Sequence, residues 1–267
     1  MSRIKSRFAD LEKRHRTALI PYVTAGDPEP SVTVPLMHAM VEAGADLLEL
    51  GVPFSDPMAD GPVIQAASER ALVHHISLKN VIEMVKEFRQ RDNDTPVILM
   101  GYLNPVEVMG YEHFAHTAAR AGVDGVLTVD IPPEESRDFL VALKNHKLDP
   151  IYLIAPTSSG ERIRSICTSA SGFVYYVSVK GVTGAANLEV ASVADKVAEI
   201  RQSTNLPIGV GFGINDANSA AEVGKVADAV VVGSAIIRRV ADNAGDKDAI
   251  VSEVSALLQS MRMALDK

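Results

Sequence analysis

Short apolar runs, each about the length of a buried strand, recur from one end of the chain to the other, with helical patterns between them. The runs cover residues 18–23, 46–52, 96–102, 124–129, 150–154, 172–179, 207–211 and 227–232. They are rich in Val, Ile, Leu and Tyr, as expected of strands buried on both faces. Pro96, Pro150 and Pro207 each stand at the start of a run, where a missing N–H does least harm to a ladder. The intervening segments 34–43, 63–73, 78–88, 111–121, 134–143, 161–168, 190–200, 217–223 and 249–265 carry helical spacing. Gly44 and Gly122 follow two of these segments and suit the left-handed position just past a helix end.

Repeated alternation of strand and helix implies a parallel sheet. About eight such units favour a closed (β/α)8 barrel, the TIM-barrel architecture, over an open doubly wound sheet, which would need fewer strands for this length. The 267 residues match the roughly 250 that such a barrel needs, so one domain is expected over 1–267. Ahead of the first strand, Ile4, Phe8 and Leu11 have the spacing of a short amphipathic helix suited to plug one barrel end.

Composition narrows the function. The formal net charge of −8 argues against a nucleic-acid partner, since an acidic chain repels a phosphate backbone. Any phosphate site must then rest mainly on backbone N–H groups. Cys167 is the only cysteine, which rules out an internal disulfide and fits a reducing cytoplasm. Apolar stretches fall well short of the ~20 residues that span a bilayer, and residues 1–16 lack the apolar middle of a signal peptide. A cytoplasmic location is the expectation.

In this fold, active sites lie at the C-terminal ends of the strands, which shortens the list of candidates. Glu49 stands near the end of the second run; a carboxylate there is costly unless it has a task or a partner, and burial would raise its pKa towards the range of a general acid/base. The alternative is a salt bridge to a neighbouring strand. The loop 53–62 is punctuated by Pro53, Pro57, Gly61 and Pro62 and folds over the barrel mouth, which brings Asp60 back towards Glu49. Asp56 and Asp60 could equally cap turns in that loop. Gly209-Val-Gly-Phe-Gly213 after the seventh run and Gly233-Ser-Ala-Ile-Ile237 after the eighth occupy the places where barrels commonly build a phosphate cradle, the second opening a short helix. Gly181-Val-Thr-Gly-Ala-Ala186, after the sixth run, has the composition of a lid that excludes water, or of a plain connection. His113 and His116 lie three apart on a helix without a third ligand in sequence, so no metal site is expected. Ser158-Ser-Gly160 reads as a helix start, not a nucleophile elbow.

Together these pieces resemble the tryptophan synthase alpha subunit family over nearly the whole chain. The most specific stretch is Leu47-Leu-Glu-Leu-Gly-Val-Pro-Phe-Ser-Asp-Pro-Met-Ala-Asp-Gly-Pro62. Pro21-Tyr-Val-Thr-Ala-Gly-Asp27, Asp130-Ile-Pro-Pro-Glu-Glu135, Ala155-Pro-Thr157, Gly181-Val-Thr-Gly184 and Gly211-Phe-Gly-Ile214 accompany it in the family's order. The resemblance implies a lyase that cleaves indole-3-glycerol phosphate to indole and glyceraldehyde 3-phosphate. It implies neither metal nor cofactor on this chain. It also implies a pyridoxal-phosphate-bearing beta subunit as partner in an alpha2beta2 heterotetramer, which receives the indole.

By the same resemblance Glu49 is the acid/base and Asp60 the carboxylate that holds the indole N–H. Gly184, Gly213, Gly233 and Ser234 match the phosphate-binding positions, and Thr183 the lid hydroxyl that meets Asp60. Tyr22, Met100, Leu127, Val129, Leu153, Tyr175 and Phe212 line the indole slot, with Tyr102 nearby. Tyr22 and Met100 depart from the Phe and Leu frequent in the family. Pro53, Asp56, Pro57, Asn104 and Pro105 match the surface that meets the beta subunit. Two other readings stay open on the sequence: a related phosphate-binding barrel that isomerises ribosyl-type substrates or closes an indole ring, and an inactive barrel that binds phosphate and regulates a partner. Glu49 and Asp60 together argue against both.

Overall fold

The computed structural model describes residues 2–177, 190–211 and 213–267. Eight parallel strands form the centre: β1 (Ala18–Thr24), β2 (Leu48–Gly51), β3 (Val97–Gly101), β4 (Gly125–Thr128), β5 (Asp149–Ile154), β6 (Val174–Val177), β7 (Ile208–Gly211) and β8 (Ala229–Val232). They pair in chain order, and β1 also pairs with β8, so the sheet closes into a barrel. The helix α1 (Arg3–Lys13) precedes the barrel. Around it lie α2 (Pro30–Glu42), α3 (Pro62–Leu72), α4 (Leu78–Phe88), α5 (Leu103–Met109), α6 (Tyr111–Ala121), α7 (Arg137–Asn145), α8 (Gly160–Ser169), α9 (Val190–Arg201), α10 (Ala217–Gly224), α11 (Ser234–Asp242) and α12 (Lys247–Leu265).

The local signals act as their chemistry requires. Ser77 and Asn80 form a reciprocal capping box that starts α4. Gly122 takes φ +96° in the left-handed region and ends α6, and Gly44 at φ +106° follows α2. Ser159 caps α8 by accepting from the Arg162 N–H, as a helix start does. One helix went unread in the sequence: α5, which takes in Asn104 and Pro105 and stops at Gly110.

Several strands begin a residue or two later than the apolar runs that announce them, because an aspartate stands at the entry. Asp46 Oδ2 accepts from the Leu19 N–H at 2.9 Å and from Arg262 Nη1 at 3.0 Å. Asp124 Oδ2 accepts from the Val97 N–H at 2.9 Å and from Arg89 Nη2 at 2.8 Å, while Arg3 Nη1 reaches its other oxygen at 2.8 Å. Asp228 Oδ2 accepts from the Ile208 N–H at 2.8 Å, with Arg201 on both oxygens. Each aspartate therefore joins its own strand to the start of the preceding one.

The barrel interior and the helix–sheet layer form separate apolar clusters. Inside, Ile20, Leu47, Ile98, Leu127, Ile151, Phe173, Ala229 and Val231 pack with Ile4, Phe8 and Leu11 of α1. The amphipathic N-terminal helix thus closes the bottom of the barrel, as its spacing predicts. Met100, Val129, Leu153 and Tyr175 cap this cluster and stay partly exposed. They lie at or near the C-terminal ends of β3, β4, β5 and β6, at the end opposite α1, which is left open for chemistry.

Candidate functional site at the barrel mouth

Strand pairing places Tyr22 beside Glu49, and Glu49 beside Ile98. Side chains alternate across a strand, so Tyr22 and Glu49 share the face of the inward-pointing Ile98. Glu49 is only 2% exposed, and its Oε1 has no hydrogen-bond partner among the described residues. Among the described residues no salt bridge to Glu49, the alternative weighed above, is made. Burial, reinforced by the negative charge of Asp60, pushes the Glu49 carboxyl up to about 8. At neutral pH the group is mostly protonated, able to donate a proton and then act as the conjugate base.

Asp60 comes back over the mouth on the loop after β2. Its Oδ2 accepts from Tyr102 Oη at 3.0 Å, and the same hydroxyl accepts from the Ala59 N–H at 2.9 Å. Burial raises the Asp60 carboxyl, while the tyrosine hydrogen bond opposes that shift. The Tyr102 ring also stacks on Phe54, with centroids 5.1 Å apart. Asp60 is thus held by a tyrosine and is not spent on capping its own turn. Asp56, by contrast, accepts from its neighbour Ser55 at 2.6 Å and stays exposed.

Tyr22 fits because Gly51 lacks a side chain. A Cβ on Gly51 would stand 2.2 Å from Tyr22 Oη, so the strand glycine makes room for the ring. That hydroxyl, which a phenylalanine would lack, lies 3.2 Å from Thr24 Oγ1. Tyr22 also packs with Val63, Ile64 and Ala67 of α3 and Ile237 of α11. Tyr175 uses Gly211 in the same manner, where an added Cβ would meet its hydroxyl at 2.3 Å. Both tyrosines feel the Glu49 charge, and burial raises both phenols well above their ordinary value. Leu127 is fully buried beneath Met100, Val129 and Leu153.

The expected phosphate cradle has two described halves. Gly213 takes φ +77° after β7. Gly233 precedes α11 and offers no side-chain cap, so no side chain of the preceding residue competes for the first-turn N–H groups that begin at Ser234. Asn215 links the halves: its Nδ2 donates to the Gly213 carbonyl at 3.0 Å, and its Oδ1 accepts from Arg238 Nη1 of α11 at 3.3 Å. Thr183, Gly184 and Phe212, and the expected lid 181–186, lie outside the described residues.

On the outer surface, Asp56 and Asn104 are exposed, Pro57 and Pro105 half-buried, and Pro53 is buried at the base of its loop. Met58 and Val108 stand 87% and 83% exposed on the same two segments. Neither is marked in the sequence, since a single exposed apolar residue carries no periodic signal. A cleft of about 740 Å3, lined by Lys5, Phe8, Asp149 and Arg201 among others, opens at the N-terminal face, away from these groups.

The fold is a (β/α)8 barrel that carries two carboxyl groups, Glu49 and Asp60, and an uncapped helix start, that of α11, at the C-terminal ends of its strands. Comparison with known proteins sharpens this. The model of the family "Tryptophan synthase alpha chain" matches residues 8–266. The tryptophan synthase alpha chain of Thioalkalivibrio sulfidiphilus is 66% identical over 266 residues, covering 100% of both chains. That of Nitrosococcus oceani is 60% identical, covering 100% of this chain and 98% of the relative. Among solved structures, tryptophan synthase subunit alpha of Legionella pneumophila superposes with a TM-score of 0.94 at 46% identity, covering 100% of this chain and 99% of that one. A chain of Mycobacterium tuberculosis tryptophan synthase, in its aminoacrylate-bound form, gives 0.88 at 31% identity, covering 99% and 100%. This chain belongs to the tryptophan synthase alpha chain family.

Proposed function

We infer that this chain is a carbon–carbon lyase, cleaving indole-3-glycerol phosphate to indole and D-glyceraldehyde 3-phosphate as the alpha subunit of tryptophan synthase in L-tryptophan biosynthesis. The observation that carries the reading is Glu49, a buried carboxyl at the barrel mouth pushed up to about 8, one of whose oxygens has no partner among the described residues.

The chemistry follows from the two carboxyl groups. Glu49 in its protonated form delivers a proton to indole C3. That step places positive charge on the indole nitrogen, whose N–H faces the Asp60 carboxylate. Fixed negative charge at that point stabilises the developing cation. The Glu49 carboxylate then removes the proton of the side-chain hydroxyl next to the breaking bond. The C–C bond breaks, its electron pair returns to the ring, and the aldehyde and indole form, with Glu49 protonated again. One carboxyl thus serves as acid and base in turn, which a pKa near the working pH favours.

Tyr22, Met100, Leu127, Val129, Leu153 and Tyr175 form the apolar slot for the flat indole ring, completed by Phe212. Gly213, Gly233 and Ser234, with Gly184, hold the phosphate through backbone N–H groups and the hydroxyl. By the resemblance, Thr183 takes the role of the lid hydroxyl that meets Asp60. The beta subunit docks on the surface of Pro53, Asp56, Pro57, Asn104 and Pro105, and the exposed Met58 and Val108 supply its apolar anchors. The assembly is an alpha2beta2 heterotetramer. No cofactor is assigned to this chain, and pyridoxal phosphate belongs to the beta subunit. The chain works as one domain, 1–267, in the cytoplasm. Among the described residues no helix is long and apolar enough to cross a membrane.

Indole release from indole-3-glycerol phosphate by the purified chain, with and without beta subunit, tests the reading. Slow release alone and faster release with the partner is the expected result. A folded chain that yields no indole under either condition, yet binds glycerol phosphate, would point instead to a regulatory phosphate-binding barrel.

A further inference from the structure

The loop that carries Asp60 has no cap at the helix it enters. Gly61, the residue before α3, offers no side-chain cap, and α3 opens on Pro62. The loop is instead gripped from one turn further along. Gln65 Nε2 donates to the Asp60 carbonyl at 2.9 Å and to the Pro57 carbonyl at 3.3 Å. Both acceptors are carbonyl oxygens, so the contacts require the NH2 side of the amide. Pro57 and Asp60 are the two ends of a turn closed by the Asp60 N–H on the Pro57 carbonyl at 3.0 Å. The glutamine therefore spans both ends of this turn.

Its platform is fixed. α3 packs Val63, Ile64 and Ala67 against Tyr22 in the mouth. Nearer its other end, Arg70 forms a two-pronged pair with Asp27, buried in the loop after β1, at 2.7 and 2.8 Å. Holding the Asp60 carbonyl fixes the backbone from which its side chain leaves towards Tyr102. Holding the Pro57 carbonyl ties that backbone to the outer part of the loop.

We propose that Gln65 is a positioning residue for the cleavage reaction, fixing the direction of the Asp60 carboxylate and linking it to the partner-facing turn at Pro57. This rests on the lyase reading above. The amide touches no substrate; it acts through Asp60. Loss of its donors frees the turn, and displacement of a catalytic group by about 1 Å lowers turnover by up to about a hundredfold.

The test is a double-mutant cycle on the full chain, assayed for indole release with and without beta subunit. Gln65→Met keeps the length and removes both donors. It is expected to lower kcat about ten- to a hundredfold with little change in KM, and to reduce the activation by beta subunit. In an Asp60→Asn background the same substitution is expected to have little further effect, because both changes act through one group. A native kcat in Gln65→Met, or an equal fold-loss in both backgrounds, would overturn the proposal. Should Gln65→Met fail to fold by circular dichroism, Gln65→Glu, which keeps the shape and loses the donors, carries the same expectations. Loss of the fold in both variants would make the glutamine a structural residue and also overturn the proposal. Absence of indole from the native chain would instead defeat the lyase reading.

Discussion

A carboxyl group that is 2% exposed, with one oxygen unpartnered among the described residues, carries a stability penalty that depends on pH. Unfolded, Glu49 titrates near the model value of 4.5; folded, it titrates at about 8. Between those values the native state holds a proton that the unfolded state has released. Stability therefore falls as pH rises through this window and levels off above about 8, by an amount on the order of 5 kcal/mol. Glu49→Gln cannot ionise. Its unfolding free energy, measured by urea titration at a series of pH values, is expected to gain on the native chain steadily from pH 4.5 to 8. A constant difference between the two chains across that window would contradict the assignment. Glu49 was legible in the sequence because a charged residue in an apolar run is conspicuous. Gln65 was not, since a glutamine inside a helix looks like any solvated position until its acceptors are seen. The glycine at 51 makes room for Tyr22 of the preceding strand, a match that depends on the strand register and not on either residue alone.

Among the elements, the parallel strands and most helices could be read because each has its own periodicity and its own punctuation. The segments 78–88 and 111–121 agree with α4 and α6 at both ends, fixed by the Ser77 box and by Gly122. The helix α5 escaped notice because it has only 7 residues and contains a proline, so less than two full turns of pattern were available. Its position matters, for Tyr102 at its start holds Asp60 while Asn104 and Val108 face outward. The exposed Val108, 83% accessible, makes a clean probe of the outer face. Val108→Asp is expected to weaken association with the beta subunit about tenfold or more, as loss of an apolar anchor does, and to leave indole release by the isolated chain unchanged. Calorimetric titration with beta subunit measures the first quantity and the indole assay the second. Unchanged association would remove α5 from the proposed interface.

For the whole molecule, stability and chemistry lie at opposite ends of the barrel. The entry aspartates Asp46, Asp124 and Asp228 tie neighbouring strands at the N-terminal end, where α1 also closes the interior. Asp124 shows the size of this effect best, because it satisfies the buried Arg89 and a strand N–H together. Asp124→Ala leaves that guanidinium without its carboxylate and is expected to lower stability by about 3–5 kcal/mol. That corresponds to a Tm about 10 °C lower by differential scanning calorimetry, with KM unaltered. The sequence marked the helix ends at Gly44 and Gly122, two residues before Asp46 and Asp124, but not the arginines that answer these aspartates. Arg262 lies on the last helix and Arg89 at the end of α4, and only closure of the barrel brings them to those carboxylates.

The account turns on one carboxyl group at the open end. Its most direct test pairs Glu49→Gln with the native chain, measuring indole release with beta subunit present and substrate affinity by calorimetric titration. The expected outcome is a variant that binds indole-3-glycerol phosphate within a few fold of the native chain and loses nearly all turnover, about a thousandfold or more, since it can neither donate nor accept the reacting proton. A Glu49→Gln chain that releases indole at a rate close to native would contradict the assignment of Glu49 as the acid and base of this reaction.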